Sequence, residues 1–207
     1  MLNKNSNTDH LKKYIKKSIP GYISYVDSMV LHHLVKKYNK EQTIGVELGS
    51  LHGKSSFTLA TTIIKGKLYC IDPWEDFESH NEDFPQLLVD LENLPRKGMI
   101  NSLDIFLENT RVCTNIVPLK GRSPDFVKDW SQDIDFLFID AEHTNPSDRQ
   151  NIDFWLPKIK KGGRLIGHDF YVDKKFPDIN VNIEYLENHL SQKVHYITNS
   201  SVWWFDI

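Results

Sequence analysis

The chain lacks most of the features that assign a protein at a glance. Only two cysteines, Cys70 and Cys113, occur in 207 residues. They lie far apart in sequence, so a disulfide framework is not indicated and a reducing compartment is the default. No stretch reaches the ~18 apolar residues of a membrane span. The opening residues, "MLNKNSNTDHLKKY", hold no apolar signal-peptide segment. Neither sign of charge dominates. A formal net charge of −3 gives no basic face for nucleic acid. Internal repeats and low-complexity tracts are absent too. These absences point to a soluble cytoplasmic protein with no nucleic-acid or membrane partner.

What is present is enough apolar and aromatic material, 40% and 12% of residues, to build a sizeable core in one large domain. Residues 1–8 read as a frayed end and 9–18 as a short basic helix stopped by Pro20-Gly21. In residues 22–38, Val26, Met29, Val30, Leu34, Val35 and Tyr38 recur at helical spacing. Residues 1–40 therefore read as a helical extension, packed on the sheet or covering a ligand.

An alternation of strands and helices follows. Strands are predicted over 43–48, 67–72, 115–120, 134–140 and 164–169, with helices over 54–65, 124–131 and 179–191. Asn145-Pro146 is expected to cap another helix, Pro157 to kink it and Gly162-Gly163 to end it. The segments "KVHYIT" and "SVWWFD" read as a closing hairpin turning at Asn199-Ser200. This order implies an α/β, doubly wound sheet with an antiparallel strand at the end. Residues 41–207 would be the main domain, with an insertion at about 73–100 beside the ligand site.

The stretch "IGVELGSLHGKSS" (44–56) ends an apolar strand in Glu47 and breaks into Gly49, Ser50 and Gly53. Ligands of open α/β sheets bind at such strand ends. A phosphate-binding loop would need four residues between its glycines, but only Ser50, Leu51 and His52 separate Gly49 from Gly53. A dinucleotide fingerprint would need glycine where Leu51 and Lys54 stand. A nucleoside with a cationic tail and no phosphate suits the acid at 47 better. Asp72, which lies 19 residues beyond Gly53, ends the second strand. It can bond both ribose hydroxyls, or merely terminate the strand ahead of Pro73.

The segments "VELGSLHGKSS", "YCIDPW", "LKGRSPDF", "DFLFIDAEHT", "WLPKIKKGGRLIGHDF" and "VWWF" come in an order and spacing that cover about residues 40–207. Together they resemble a class I S-adenosylmethionine-dependent methyltransferase, of the small bacterial branch related to catechol- and macrocin-type O-methyltransferases. The resemblance implies a Rossmann-like sheet of seven strands in the order 3-2-1-4-5-7-6, the seventh antiparallel. It implies that Glu47, Gly49, Ser50 and Gly53 line the methionine part of S-adenosylmethionine. By the same likeness Asp72 holds the ribose, Trp74 borders the nucleoside, Ser123 contacts the adenine and Asp140 faces the reacting methyl. The partner would be a small-molecule methyl acceptor, and a homo-oligomer is compatible with it.

Oxygen methylation also needs a proton removed. Asp140 and Asp169 end adjacent strands and can converge on a hard cation such as Mg²⁺ or another divalent ion. Alternatively His143 or His168 is a metal-free base. His168 stands where metal-dependent relatives carry an acid or amide, and no lysine follows Asp140. Arg122 and Arg149 could meet an anionic acceptor or form surface ion pairs. The acids over 75–83 could form a lid or only a solvated loop. Two rivals stand beside this reading: a non-catalytic cofactor-binding or scaffold protein of the same fold, and a P-loop-type nucleotide hydrolase.

Overall fold

The structure is a computed structural model. It describes residues 18–75, 103–170 and 177–207. The expected helix over 9–18 and most of the expected insertion lie outside the described residues, as do the acids beyond Glu75.

A first helix, α1 (Tyr25–Val35), carries a capping box in which Ser24 and Asp27 satisfy each other's backbone N–H. The chain then alternates: β1 (Ile44–Leu48), α2 (Lys54–Thr62), β2 (Lys67–Asp72), α3 (Leu103–Thr110) and β3 (Ile116–Lys120). There follow β4 (Ile134–Ile139), α4 (Ser147–Trp155), β5 (Ile159–Gly167), α5 (Pro177–Leu190), β6 (His195–Tyr196) and β7 (Trp203–Asp206). The sheet has seven strands in the order β3-β2-β1-β4-β5-β7-β6. Strands β1 to β5 pair in parallel, and β7 runs antiparallel to both β5 and β6. The fold class and strand order are those the sequence implied.

Apolar residues of the central strands alternate between two cores, as a sheet buried on both faces requires. Phe136 and Phe138 of β4 face the layer of α1, α2 and α3, with Leu31, Leu34, Leu59 and Phe106. Leu137 and Ile139 face the layer of α4 and α5, with Ile152, Trp155, Ile183 and Leu186. Trp203 joins this second core at 4% exposure, whereas Trp204 is only half-buried. Cys70 is a fully buried free thiol, and burial raises its pKa.

Four local expectations are corrected. The helix over 124–131 is a single 3₁₀ turn, Asp125–Val127. Asn145 does not cap α4; Pro146 holds the cap position without a side-chain bond, and the Asn145 N–H donates to Asp178 instead. Pro157 does not kink a continuing helix, because α4 has already tightened into a 3₁₀ turn at Leu156–Lys158. Gly162-Gly163 lies inside β5 and not at a helix end. The register shifts from Ile134↔Ile159 to Phe136↔Arg164, so extra β5 residues bulge out. That bulge is anchored by Tyr38, whose hydroxyl donates to the Gly162 carbonyl at 2.9 Å.

Candidate functional site

Strand order reverses between β1 and β4, so a crevice opens at their carboxyl ends. Two residues meet there. Gly49 has φ +82°, and a Cβ on it would stand 1.9 Å from the Asp140 carbonyl oxygen. Only glycine fits that left-handed, close-packed position. The loop then turns through Leu51 and reaches α2 at Gly53, which is also left-handed at φ +87°.

The loop is braced from beneath. Glu47 is fully buried and accepts hydrogen bonds from the hydroxyls of Ser50, at 2.8 Å, and Ser56. Burial raises its pKa, against the pull of the serine hydroxyls. Asp72 accepts the backbone N–H of Ser50 and Leu51 on one oxygen, both at 2.9 Å, and that of Trp74 on the other, at 2.7 Å. Trp74 is 2% exposed, packs on Phe106 and donates its indole N–H to the Leu51 carbonyl.

These bonds bear on the sequence expectations. The loop amides that would cradle a phosphate are committed to a carboxylate, which disfavours the nucleotide-hydrolase rival. Asp72 thus holds three backbone N–H groups and braces the loop. Glu47, Ser50 and Trp74 are sealed in and shape the loop, while Gly49 and Leu51 present its accessible side. Ser123 is half-buried in the loop after β3, where its hydroxyl accepts the Trp155 indole N–H at 2.9 Å.

Beside Gly49 lies a cluster of acids and histidines. His143 Nε2 is 2.9 Å from Asp169 Oδ2 and 3.5 Å from Asp140 Oδ1. The side chains of Asp140, His143 and Asp169 are 16–18% exposed, so the cluster is reachable from solvent. His143 and Asp169 both hold positive φ, 56° and 58°. Such strain in non-glycine residues gathers at sites where side-chain direction matters. Among the described residues these three form a group whose ligand atoms all lie within 4.8 Å of one another.

His168 stands behind them, 3% exposed. Its Nδ1 lies 3.3 Å from Asp140 Oδ1 and 3.3 Å from Asp169 Oδ2. Burial alone would depress both histidines. Hydrogen bonds to Asp140 and Asp169 outweigh it at His143, lifting the pKa to about 10. The Asp140 charge leads the same reversal at His168. Burial would raise Asp140 and Asp169, but the two histidines hold both carboxyls below the usual range.

The sequence named all four of these residues; it missed what surrounds them. Asp148 and Asn182 line a small cavity with His143 and His168. Asp148 is 5% exposed, and burial pushes its pKa up to about 6. Asp27 and Ser201 approach His168 from the other side. Nothing in the sequence around Asp27 foretold its contact with His168. Arg122 pairs with Glu75, at 2.8 Å, and with Glu142. Arg149 lies over the Tyr185 ring and bonds Asn182.

Comparison with known proteins adds three likenesses and a family. Residues 46–170 match the family described as a methyltransferase domain. The fold is similar to that of NovP, an O-methyltransferase, at a TM-score of 0.64 and 14% identity over 86% of this chain and 78% of that one. It is similar to cofactor-bound Rv0187 from MTB, at 0.63 and 14% over 90% and 82%. It is also similar to the O-methyltransferase TomG from Streptomyces achromogenes, solved with S-adenosylmethionine, at 0.55 and 16% over 88% and 79%.

Proposed function

Because the chain belongs to the methyltransferase-domain family, we propose that it transfers the methyl group of S-adenosylmethionine to an oxygen of a small molecule, with a sugar or secondary metabolite preferred. One observation carries the reading. The glycine turn that would seat the methionine part of the cofactor touches the backbone of Asp140, the first residue of the acid–histidine cluster. Donor and proton-handling groups are thus neighbours, as in-line transfer requires. A scaffold protein would have no use for that adjacency.

In this reading Gly49 lets the sulfonium approach the end of β4. Glu47, Asp72 and Trp74 hold the loop, and Asp72 also holds the ribose. The Asp140 and Asp169 carboxylates face the acceptor and draw its hydroxyl into line. His143, held protonated between two carboxylates at neutral pH, is a poor base as it stands.

Two carboxylates and an imidazole within reach of one point suit a divalent cation, Mg²⁺ or a softer ion that accepts nitrogen. Asp140, Asp169 and His143 would hold it. Bound there, it would lower the pKa of the acceptor hydroxyl. His143 would yield its proton as it became a ligand, since metal binding releases protons from its ligands.

The test is methyl transfer from S-adenosylmethionine to a panel of catechol, simple phenols and free sugars, with and without Mg²⁺ or Mn²⁺. Asp140→Ala should lower kcat at least about 100-fold, the loss typical of removing one transition-state contact, with cofactor affinity changed far less. Turnover that survives this change, or transfer to no acceptor while cofactor binds, would contradict the reading.

A further inference from the structure

The helix that precedes the first strand reaches this site through one buried side chain. Asp27 is 3% exposed. Its Oδ1 accepts the Ser200 hydroxyl at 2.7 Å and the Ser201 N–H at 2.9 Å. Its Oδ2 accepts the Ser24 N–H at 3.0 Å and lies 3.5 Å from His168 Nε2. Three bonds from α1 and from the β6–β7 loop thus fix the carboxylate before His168 is counted. The Ser201 hydroxyl stands 2.8 Å from the same ring nitrogen, and the Trp203 indole N–H donates to the His168 carbonyl at 3.1 Å. On its opposite edge the ring faces Asp140 and Asp169.

We propose that Asp27 is a positioning residue of the methyl-transfer site: it holds the His168 ring so that Nδ1 is presented to Asp140 and Asp169. The proposal rests on the methyl-transfer reading above. Ionised carboxylates only accept, so the nitrogen facing Asp27 and the one facing Asp140 and Asp169 both carry a hydrogen. The Ser201 hydroxyl then accepts from Nε2. A half-turn of the ring would set carbon where each nitrogen now sits, losing the contacts at both edges. One orientation remains, and it keeps Nδ1 within 3.3 Å of the two carboxylates that face the acceptor. Groups that orient such residues typically cost 10–100-fold when removed. The N-terminal helix is then part of the active site and not only its cover.

The experiment is ¹⁵N NMR of histidine-labelled protein, with the His168 ring signals identified by their loss in His168→Asn. Asp27→Asn keeps an oxygen for Ser200 and Ser201 but sets an NH₂ donor against Ser24 and His168. The ring nitrogens of His168 should shift or broaden. S-adenosylmethionine affinity by calorimetry should stay within about twofold. Transfer to the best acceptor of the panel should fall about 10–100-fold in kcat with little change in KM.

Should Asp27→Asn fail to fold, Ser200→Ala carries the same test with the same signs. It removes one anchor of Asp27 and leaves the capping box intact. Unshifted His168 signals overturn the proposal, as does a kcat within twofold of the unaltered protein. Failure of the unaltered protein to bind S-adenosylmethionine would remove the methyl-transfer reading. The ring signals, read without cofactor or acceptor, would still decide whether Asp27 holds His168.

Discussion

At the scale of single residues, the site is defined by which charges are exposed and which are sealed. Asp148 is sealed, and its raised pKa makes stability depend on pH. An acid whose folded pKa lies above its unfolded value is least costly when protonated. Its penalty appears as pH rises past 3.8, the ordinary aspartate value, and is complete above about 6. Asp148→Asn should therefore stabilise the fold at pH 8, by about 3 kcal/mol, and the gain should shrink by pH 5. Urea unfolding at the two pH values measures it; an equal gain at both would contradict the account. Gly49→Ala forces a side chain into left-handed backbone and onto the Asp140 carbonyl. It should lower the melting temperature and weaken S-adenosylmethionine binding at least about tenfold, since the clash alone demands more than the ~1–2 kcal/mol of left-handed strain. Asp140 and Asp169 were legible in the sequence because parallel strands place their carboxyl ends side by side. Asp27 and Asp148 were not. Their partners lie on other elements, and no spacing rule encodes a contact across 141 positions, from 27 to 168.

Among elements, α1 binds the extension to the sheet. Val30, Leu31, Leu34 and Val35 enter the same core as Phe136 and Phe138. Leu31→Ala should cost about 2–5 kcal/mol, the range for a fully buried leucine. Chemical denaturation would measure it, and a loss below about 1 kcal/mol would mean that α1 is only loosely docked. Helical spacing made this element readable, with its ends one turn too generous. The bulge in β5 was not readable. Gly162-Gly163 after an amphipathic helix looks like a terminator. Only the neighbouring strand and the Tyr38 hydroxyl reveal that the pair bends a strand. The 3₁₀ turn at Asp125–Val127 was likewise beyond reach, since so short a segment does not disclose how soon a helix stops.

Taken whole, the molecule is a three-layer sandwich whose strand order reverses between β1 and β4, and both halves of the proposed site flank that reversal. Gly49 follows β1; Asp140 follows β4; Asp169 lies just beyond β5. The resemblance in sequence already implied the strand order, which the sheet matches. What it could not imply is that the loop amides of Ser50 and Leu51 are tied to Asp72, which, in the proposed function, suits the loop to an uncharged ribose and not to an anion. Calorimetric titration tests this most directly, with S-adenosylmethionine, ATP and NAD run separately against the same protein. Saturable binding of S-adenosylmethionine, with a Kd within the ~1 µM–1 mM span usual for enzyme substrates, and none of ATP or NAD is the predicted result. Binding of ATP or NAD with no response to S-adenosylmethionine would contradict it.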